Sequence, residues 1–276
     1  KITQMETKMN SNTVLANIEK NHKGEDEFIQ ALREVYLDVA EYEKNISKED
    51  INSFFTLFSE PDRTIKFKVE WFDDQGKLQV NRGYRVQYNN CLGPYKGGLR
   101  FHPSVNESIL KFLGFEQVFK NALTDMPMGG GKGGSDFDPK GKSEQEIIKF
   151  CKSFMEELQK YIGADVDVPA GDIGVGTREI GYMYGHYLKL TNHYTGVLTG
   201  KHPNFGGSCG REEATGYGAV HFANFALKEH KKSLKGQRVL VSGSGNVALF
   251  AVEKLIEQES VVLTVSDSGG TLFFKE

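Results

Sequence analysis

One junction constrains the fold more than any other part of the chain. The apolar run Arg238-Val-Leu-Val-Ser242 feeds directly into Gly243-Ser-Gly-Asn-Val-Ala248. A short β-branched run is a buried strand, and a following G-x-G-x-x-A turn opens a helix, here carrying Leu249, Val252, Leu255 and Ile256 on one side. A second apolar run at 261–265 and then Asp267 complete a strand–turn–helix–strand unit with a carboxylate roughly twenty residues beyond the turn. That order describes the start of a parallel, doubly wound dinucleotide-binding domain. Gly243 makes the turn, Gly245 admits a pyrophosphate to the helix N-terminus, and Ala248 lets the helix pack closely on the sheet. Ser244, Asn246 and Val247 share that first turn, so 243–247 are the candidate cofactor contacts.

The 276 residues are enough for two ordinary domains, and 38% hydrophobic with 26% charged residues describes a globular chain. A net charge of -3 gives no electrostatic case for nucleic acid, and no apolar run is long enough to span a bilayer. Cys91, Cys151 and Cys209 are widely spaced without a CxxC, and the histidines show no HExxH spacing, so no disulfide framework and no metal site is expected. The expected compartment is the cytoplasm; because the chain opens at Lys1, an organelle reached through a removed targeting segment is the alternative.

Upstream of the dinucleotide unit the pattern is mixed α/β. Residues 1–24 are polar and weakly patterned. Phe28, Leu32, Val35, Val39 and Tyr42 step by four and three through 25–43, one stripe of an amphipathic helix. Ser47-Lys-Glu-Asp50 is a capping-box pattern ahead of Ile51, Phe54, Phe55 and Phe58. A period of two then runs through Ile65, Phe67, Val69 and Trp71, turns at Asp73-Asp-Gln-Gly76, and returns through Val80, Tyr84, Val86 and Tyr88: antiparallel strands. Ser104-Val-Asn-Glu107 and Ser143-Glu-Gln-Glu146 are two more capping-box patterns opening helices. Ile180, Met183, Tyr184, Tyr187 and Leu188 mark the buried side of another.

The 31 glycines concentrate between residues 93 and 218, and charged residues stand among them. In Met128-Gly-Gly-Gly-Lys-Gly-Gly-Ser135, read as a loop, Lys132 is flanked by glycines that cannot cover it. A lysine so placed, if partly desolvated, has its pKa lowered enough to move a proton near neutral pH; a solvated turn is the plain alternative. The Walker pattern needs Ser or Thr straight after the lysine, and Gly133 stands there, which disfavours a nucleotide triphosphatase. Lys96 and Arg100 bracket Gly97-Gly98 and suit a cationic pocket for an anion, with a surface turn as the alternative. Gln117 and Lys120 project from one helical face. The alternating run 165–169 leads into Ala170-Gly171-Asp172, where Asp172 is either an acid or base in a cleft or a helix N-cap.

Taken together, Lys96 with Gly97-Gly98, Phe115-Glu-Gln117-Val-Phe-Lys120, Pro127-Met-Gly-Gly-Gly-Lys132-Gly-Gly, Pro169-Ala-Gly-Asp172, Thr215-Gly-Tyr-Gly and Gly243-Ser-Gly-Asn-Val-Ala closely resemble the small hexameric glutamate dehydrogenases, from about residue 25 onward. The resemblance implies an α/β substrate and assembly domain over 1–205 followed by an incomplete Rossmann domain over 206–276. It implies interconversion of L-glutamate with 2-oxoglutarate and ammonium, and a homohexamer. Lys96 would bind the side-chain carboxylate, while Gln117 and Lys120, with backbone at Gly171, would hold the α-carboxylate. Lys132 would activate water and stabilise the carbinolamine oxygen, and Asp172 would exchange protons with the amino nitrogen. Arg211 and Thr215 would contact the nicotinamide end, and Asn246 the cofactor beyond the pyrophosphate.

For the cofactor, Asp267 would favour NAD through a ribose hydroxyl, whereas the run Ser266-Asp-Ser268 resembles NADP-type members; NADP is favoured over NAD. A full doubly wound domain has about six strands, so a chain ending after the second is expected to be part of a longer enzyme. The alternatives are a leucine or phenylalanine dehydrogenase, which would want an apolar residue at Lys96, and a non-catalytic assembly subunit.

Overall fold

The computed structural model describes residues 13–41 and 46–274. The polar start at 1–12 and Tyr42 of the first helical stripe lie outside them. The chain divides into two compact units, Lys1–Gly206 and Gly207–Glu276.

In the first unit, helices α1 (Thr13–Asn21), α2 (Asp26–Ala40) and α3 (Lys48–Phe58) precede the hairpin β1 (Arg63–Phe72) and β2 (Leu78–Asn89). There follow β3 (Tyr95–Phe101), α4 (Glu107–Ala122), β4 (Gly130–Ser135), α5 (Glu144–Leu158), β5 (Asp167–Gly171) and α6 (Thr177–Thr191). The five strands lie in the order β1-β2-β4-β3-β5. The two pairs on the β1 side are antiparallel, and β4–β3 and β3–β5 are parallel.

Both faces of this sheet are covered. On one, Val69, Trp71, Leu99 and Phe101 pack against Phe150 and Phe154 of α5 and Ile180 and Met183 of α6. On the other, Tyr84, Val86 and Tyr88 meet Phe28 and Leu32 of α2, Phe55 of α3 and Phe115 of α4. Burying each such aromatic or aliphatic side chain contributes about 1.5–3 kcal/mol. Two-sided cover also explains why β2 is buried continuously from Gly83 to Tyr88 instead of alternating.

The helices begin where their capping residues stand, with one shift. Ser143 and Glu146 form the reciprocal box of α5, and Ser47 accepts from the Asp50 amide at α3. At α4 the cap is Asn106, whose side chain accepts from the Ile109 amide. Ser104 instead bonds His102, so the box expected at Ser104 does not form; an Asn two residues nearer the helix is the better acceptor. In α2 the buried residues are Phe28, Ala31, Leu32 and Tyr36, with Val35 and Val39 only flanking them.

The glycine-rich stretches are where local pattern and structure differ most. The segment around Lys132, read as a loop, is strand β4, with every residue buried. The Lys96 segment is strand β3, not a surface turn. The glycines there serve close approach. A Cβ on Gly130 would lie 2.4 Å from the Val118 side chain of α4, and one on Gly133 would lie 2.8 Å from both Leu99 Cδ2 and the Tyr84 carbonyl oxygen. Neighbouring elements occupy the volume that side chains would take.

In the second unit α7 (Arg211–Glu229) is followed by β6 (Arg238–Leu240), α8 (Asn246–Glu257), β7 (Val261–Asp267) and β8 (Gly270–Phe273). β6 and β7 are parallel, and β8 returns antiparallel on β7. Helix α7 lies directly on α8 through Gly216, where a Cβ would be 2.7 Å from the Ala251 amide nitrogen. The small core holds Val220, Leu234 and Leu255. The first strand is shorter than its apolar run and is not wholly buried, since Leu240 is 70% exposed.

Candidate active site

Parallel strands β3 and β5 end at the same edge as β4, and their side chains converge there. Lys132 is buried on β4, and its Nζ donates to Asp172 Oδ1 at 3.0 Å. Asp172 follows β5, where Gly171 is in register with Leu99 of β3. It caps no helix: α6 begins after Gly176, and the carboxylate's other oxygen accepts from Arg100 Nε at 2.6 Å. A Cβ on Gly98 would be 2.8 Å from Asp172 Cβ, so only glycine at that point of β3 leaves the carboxylate its place.

Charge follows from this geometry. Burial pushes the Lys132 ammonium below the ordinary lysine range; Asp172 opposes that, while the Arg100 and Lys120 cations reinforce it. Burial pushes the Asp172 carboxyl up, but Lys132 and Arg100 together outweigh it and hold it below the usual carboxylate range. A lysine eased toward its neutral form beside a carboxylate kept ionised is an arrangement able to exchange a proton.

Lys96 lies on β3, and its ammonium donates to Thr199 Oγ1 at 2.8 Å. Gln117 on α4 packs toward the same strand, its Cγ 3.1 Å from where a Cβ of Gly97 would be, and it donates to Asn121 Oδ1 at 2.8 Å. Asn121 in turn donates to the Lys96 and Gly129 carbonyls, joining the two glycine strands at that end. Lys120 is exposed, with its charge felt at Lys132. Lys96, Gln117, Lys120, Lys132, Gly171 and Asp172 are thus carried by β3, α4, β4 and β5 of one unit. A cavity of about 470 Å³ opens beside Asp172, lined also by Lys140, Gly174 and Arg178. A larger hollow of about 710 Å³ runs along the outer side of α6 and touches none of these lysines.

Three supporting features had little or no local signal. Thr199 is 103 residues from Lys96. Arg85 is fully buried behind β4; it pairs with Asp167, reached also by Gln87, and donates to the Gly97 carbonyl. Asn121 alone had a signal, since it stands four residues beyond Gln117 on one helix.

The second unit holds the other candidate residues. Gly243 has φ +110° and Gly245 precedes the first turn of α8, where no side chain caps the helix and a Cβ on Gly245 would meet nothing within 4 Å. The exposed first turn and open approach fit a pyrophosphate. Ser266 Oγ accepts from the Gly243 amide, tying the turn to β7. Asp267 Oδ1 accepts from the Gly269 and Gly270 amides and closes the β7–β8 turn. Ser244, Ser266, Asp267 and Thr271 line a cavity of about 390 Å³. Asn246 donates to the Glu212 carbonyl, joining α8 to α7, and Arg211 donates to Thr215 Oγ1 within α7.

Residues 61–189 match the family described as Glu/Leu/Phe/Val dehydrogenase, dimerisation domain, and residues 206–276 match Glutamate/Leucine/Phenylalanine/Valine dehydrogenase. The chain belongs to the glutamate/leucine/phenylalanine/valine dehydrogenase family. Within that family it is 65% identical over 222 residues to an NADP-specific glutamate dehydrogenase of Giardia intestinalis, covering 80% of this chain and 49% of that protein. It is 55% identical over 265 residues to an NAD-specific glutamate dehydrogenase of Porphyromonas gingivalis, covering 96% of this chain and 60% of that one. The solved glutamate dehydrogenase of Plasmodium falciparum superposes with a TM-score of 0.91 at 55% identity, over 95% of this chain and 56% of that one. The chain thus spans about half the length of the family members it matches.

Proposed function

We propose that the protein of which this chain is part interconverts L-glutamate with 2-oxoglutarate and ammonium, using NADP in preference to NAD. The observation that carries this reading is the half-buried Lys132–Asp172 contact of 3.0 Å, made from β4 and the end of β5, the strands on either side of the one that bears Lys96. Lys132, eased toward neutrality, takes a proton from the attacking water and steadies the carbinolamine oxygen on the substrate. Asp172, held as carboxylate, exchanges protons with the amino nitrogen. Lys96 supplies the cation for the distal carboxylate, while Lys120, Gln117 and the Gly171 backbone take the α-carboxylate. A bound nicotinamide supplies the hydride acceptor, with 243–247 and Ser266 as its holders and Arg211 and Thr215 toward its ring.

For NADP, the support is the hydroxyl lining of Ser244, Ser266 and Thr271 and the engagement of Asp267 Oδ1 in its own turn. Relatives named NADP-specific, NAD-specific and NAD(P)-specific all occur among close matches, so the side chains carry the preference. We further propose self-association, as a homohexamer. The outer edge of β1 pairs with no strand among the described residues, and Phe72, Leu78 and Val80 are exposed on its hairpin.

The test is glutamate-dependent reduction of NADP and of NAD by the full-length protein. Lys132→Ala is expected to lower kcat by about 10²–10⁴-fold while glutamate still binds, and Lys96→Ala to weaken discrimination for the dicarboxylate. Full activity of the Lys132 variant would remove it from the mechanism, and a clear preference for NAD would overturn the cofactor assignment.

A further inference from the structure

We propose that Arg100 is a positioning residue that sets the proton balance of the Lys132–Asp172 pair by competing with the lysine for the single carboxylate. Asp172 is divided between two cations, Oδ1 to Lys132 Nζ at 3.0 Å and Oδ2 to Arg100 Nε at 2.6 Å. A lone lysine–carboxylate pair is charge-balanced when both are ionised. Adding a guanidinium, which does not lose its proton, moves the balance: arginine, carboxylate and neutral lysine now sum to zero. Arg100 therefore makes the neutral amine of Lys132 the balanced state while Asp172 stays ionised.

The backbone holds the three groups in place. Arg100 on β3 pairs in register with Gly134 of β4, two residues beyond Lys132. A Cβ on Gly134 would be 2.0 Å from the Arg100 carbonyl oxygen, and this glycine has φ +152°, so no other residue lets the strands approach so closely there. All three side chains are sheltered, with Arg100 19%, Asp172 22% and Lys132 7% exposed, which limits screening by solvent. The other charges acting on the lysine come from α4: Lys120, a second cation, and Glu116, whose carboxyl is itself pushed up by burial and by Glu34. Neither makes a direct contact with Asp172 as Arg100 does.

This inference rests on reading Lys132 as a proton-transferring group, and the experiment separates the two. In the full-length protein, the pH dependence of Lys132 acetylation by acetic anhydride, followed by mass spectrometry, reports its neutral fraction without requiring turnover. Arg100→Gln is expected to raise the labelling midpoint by about one pH unit, and Arg100→Lys, which keeps a cation, to leave it within about 0.3 unit. The acid limb of kcat/KM for glutamate should move up by the same amount in Arg100→Gln, because Lys132 and Asp172 both titrate higher once Arg100 is gone. An unmoved labelling midpoint in Arg100→Gln, or an equal shift in Arg100→Lys, would overturn the proposal. Should Arg100→Gln prove unstable, Arg100→Met, which keeps the apolar stem and removes the charge, decides: the midpoint is expected to rise as for Gln, and a fall or no change refutes the competition. A labelling shift in Arg100→Gln, together with a wild-type protein that does not turn over glutamate, would uphold the role of Arg100 and reject the reaction proposed above.

Discussion

Replacing Gly97 with alanine probes how the two glycine strands are held. The new Cβ would stand 1.7 Å from the Gly131 carbonyl oxygen, where ordinary contact begins at 3.4 Å, so the strands would have to part by about 1.7 Å. Neither is free to move. Gly97 is paired with Pro169 of β5 on its other side, and Gly131 with Gln87 of β2. Displacing β3 also stretches two hydrogen bonds, Arg85 to the Gly97 carbonyl at 3.2 Å and Asn121 to the Lys96 carbonyl at 3.1 Å. Overpacking costs about 1–3 kcal/mol, and two weakened hydrogen bonds add about 1 kcal/mol each. The expected loss is therefore about 3–5 kcal/mol, or a fall of about 1.5–2.5 M in the urea midpoint at a slope of about 2 kcal/mol/M. The control is Gly185→Ala on the exposed side of α6, where a Cβ meets nothing within 4 Å. It should stabilise by about 0.8 kcal/mol through helix propensity alone. Both are read by circular dichroism at one protein concentration. An unchanged midpoint for Gly97→Ala would refute the argument that these glycines are there for close approach.

Three other outcomes follow from the same structure. Asp167→Ala leaves the buried Arg85 guanidinium without its anion and is expected to cost about 3–5 kcal/mol, with part regained by also replacing Arg85 with Met; equal instability of single and double variants would sink the pairing argument. Burial pushes the Cys151 thiol up and shields it, whereas Cys91 and Cys209 are exposed. A disulfide-exchange reagent should therefore react with those two in the native fold and reach Cys151 only on denaturation, and a fast reaction at Cys151 would contradict its placement in the α5 core. Because Asp172 titrates below the unfolded carboxylate value of about 3.9, its contribution is fully present above that pH and is lost as pH falls through the folded value. Asp172→Asn should flatten the acid side of the stability profile, measured by thermal melts across pH, and an unchanged acid slope would argue against the ionised pair.

The helices were legible because their signals are local. The stripe on α6 and the Ser143–Glu146 cap lie within one or two turns of their own partners. The β1–β2 hairpin was legible for the same reason, its turn closing between Asp73 and Gly76. The dinucleotide turn could be read because its glycine spacing answers to its own backbone geometry, at Gly243 above all. The shift of the α4 cap from Ser104 to Asn106 shows the limit of this reading, since both are good caps and only the path of the chain out of β3 selects one.

The sequence by itself determined a mixed α/β chain, the composition of the charged set around Lys132, and the turn that opens the dinucleotide unit. It could not determine that the glycine stretches are buried strands. Glycine carries no hydrophobic periodicity, so a central strand of Gly130, Gly131, Gly133 and Gly134 has the same local pattern as a flexible loop. Only the packing of Val118, Leu99 and Tyr84 onto its backbone tells them apart. The division of Asp172 between Lys132 and Arg100 was likewise beyond the sequence, because three strands distant along the chain must pair in register before one carboxylate can meet two cations. Local chemistry named the groups; the sheet fixed which of them share a charge.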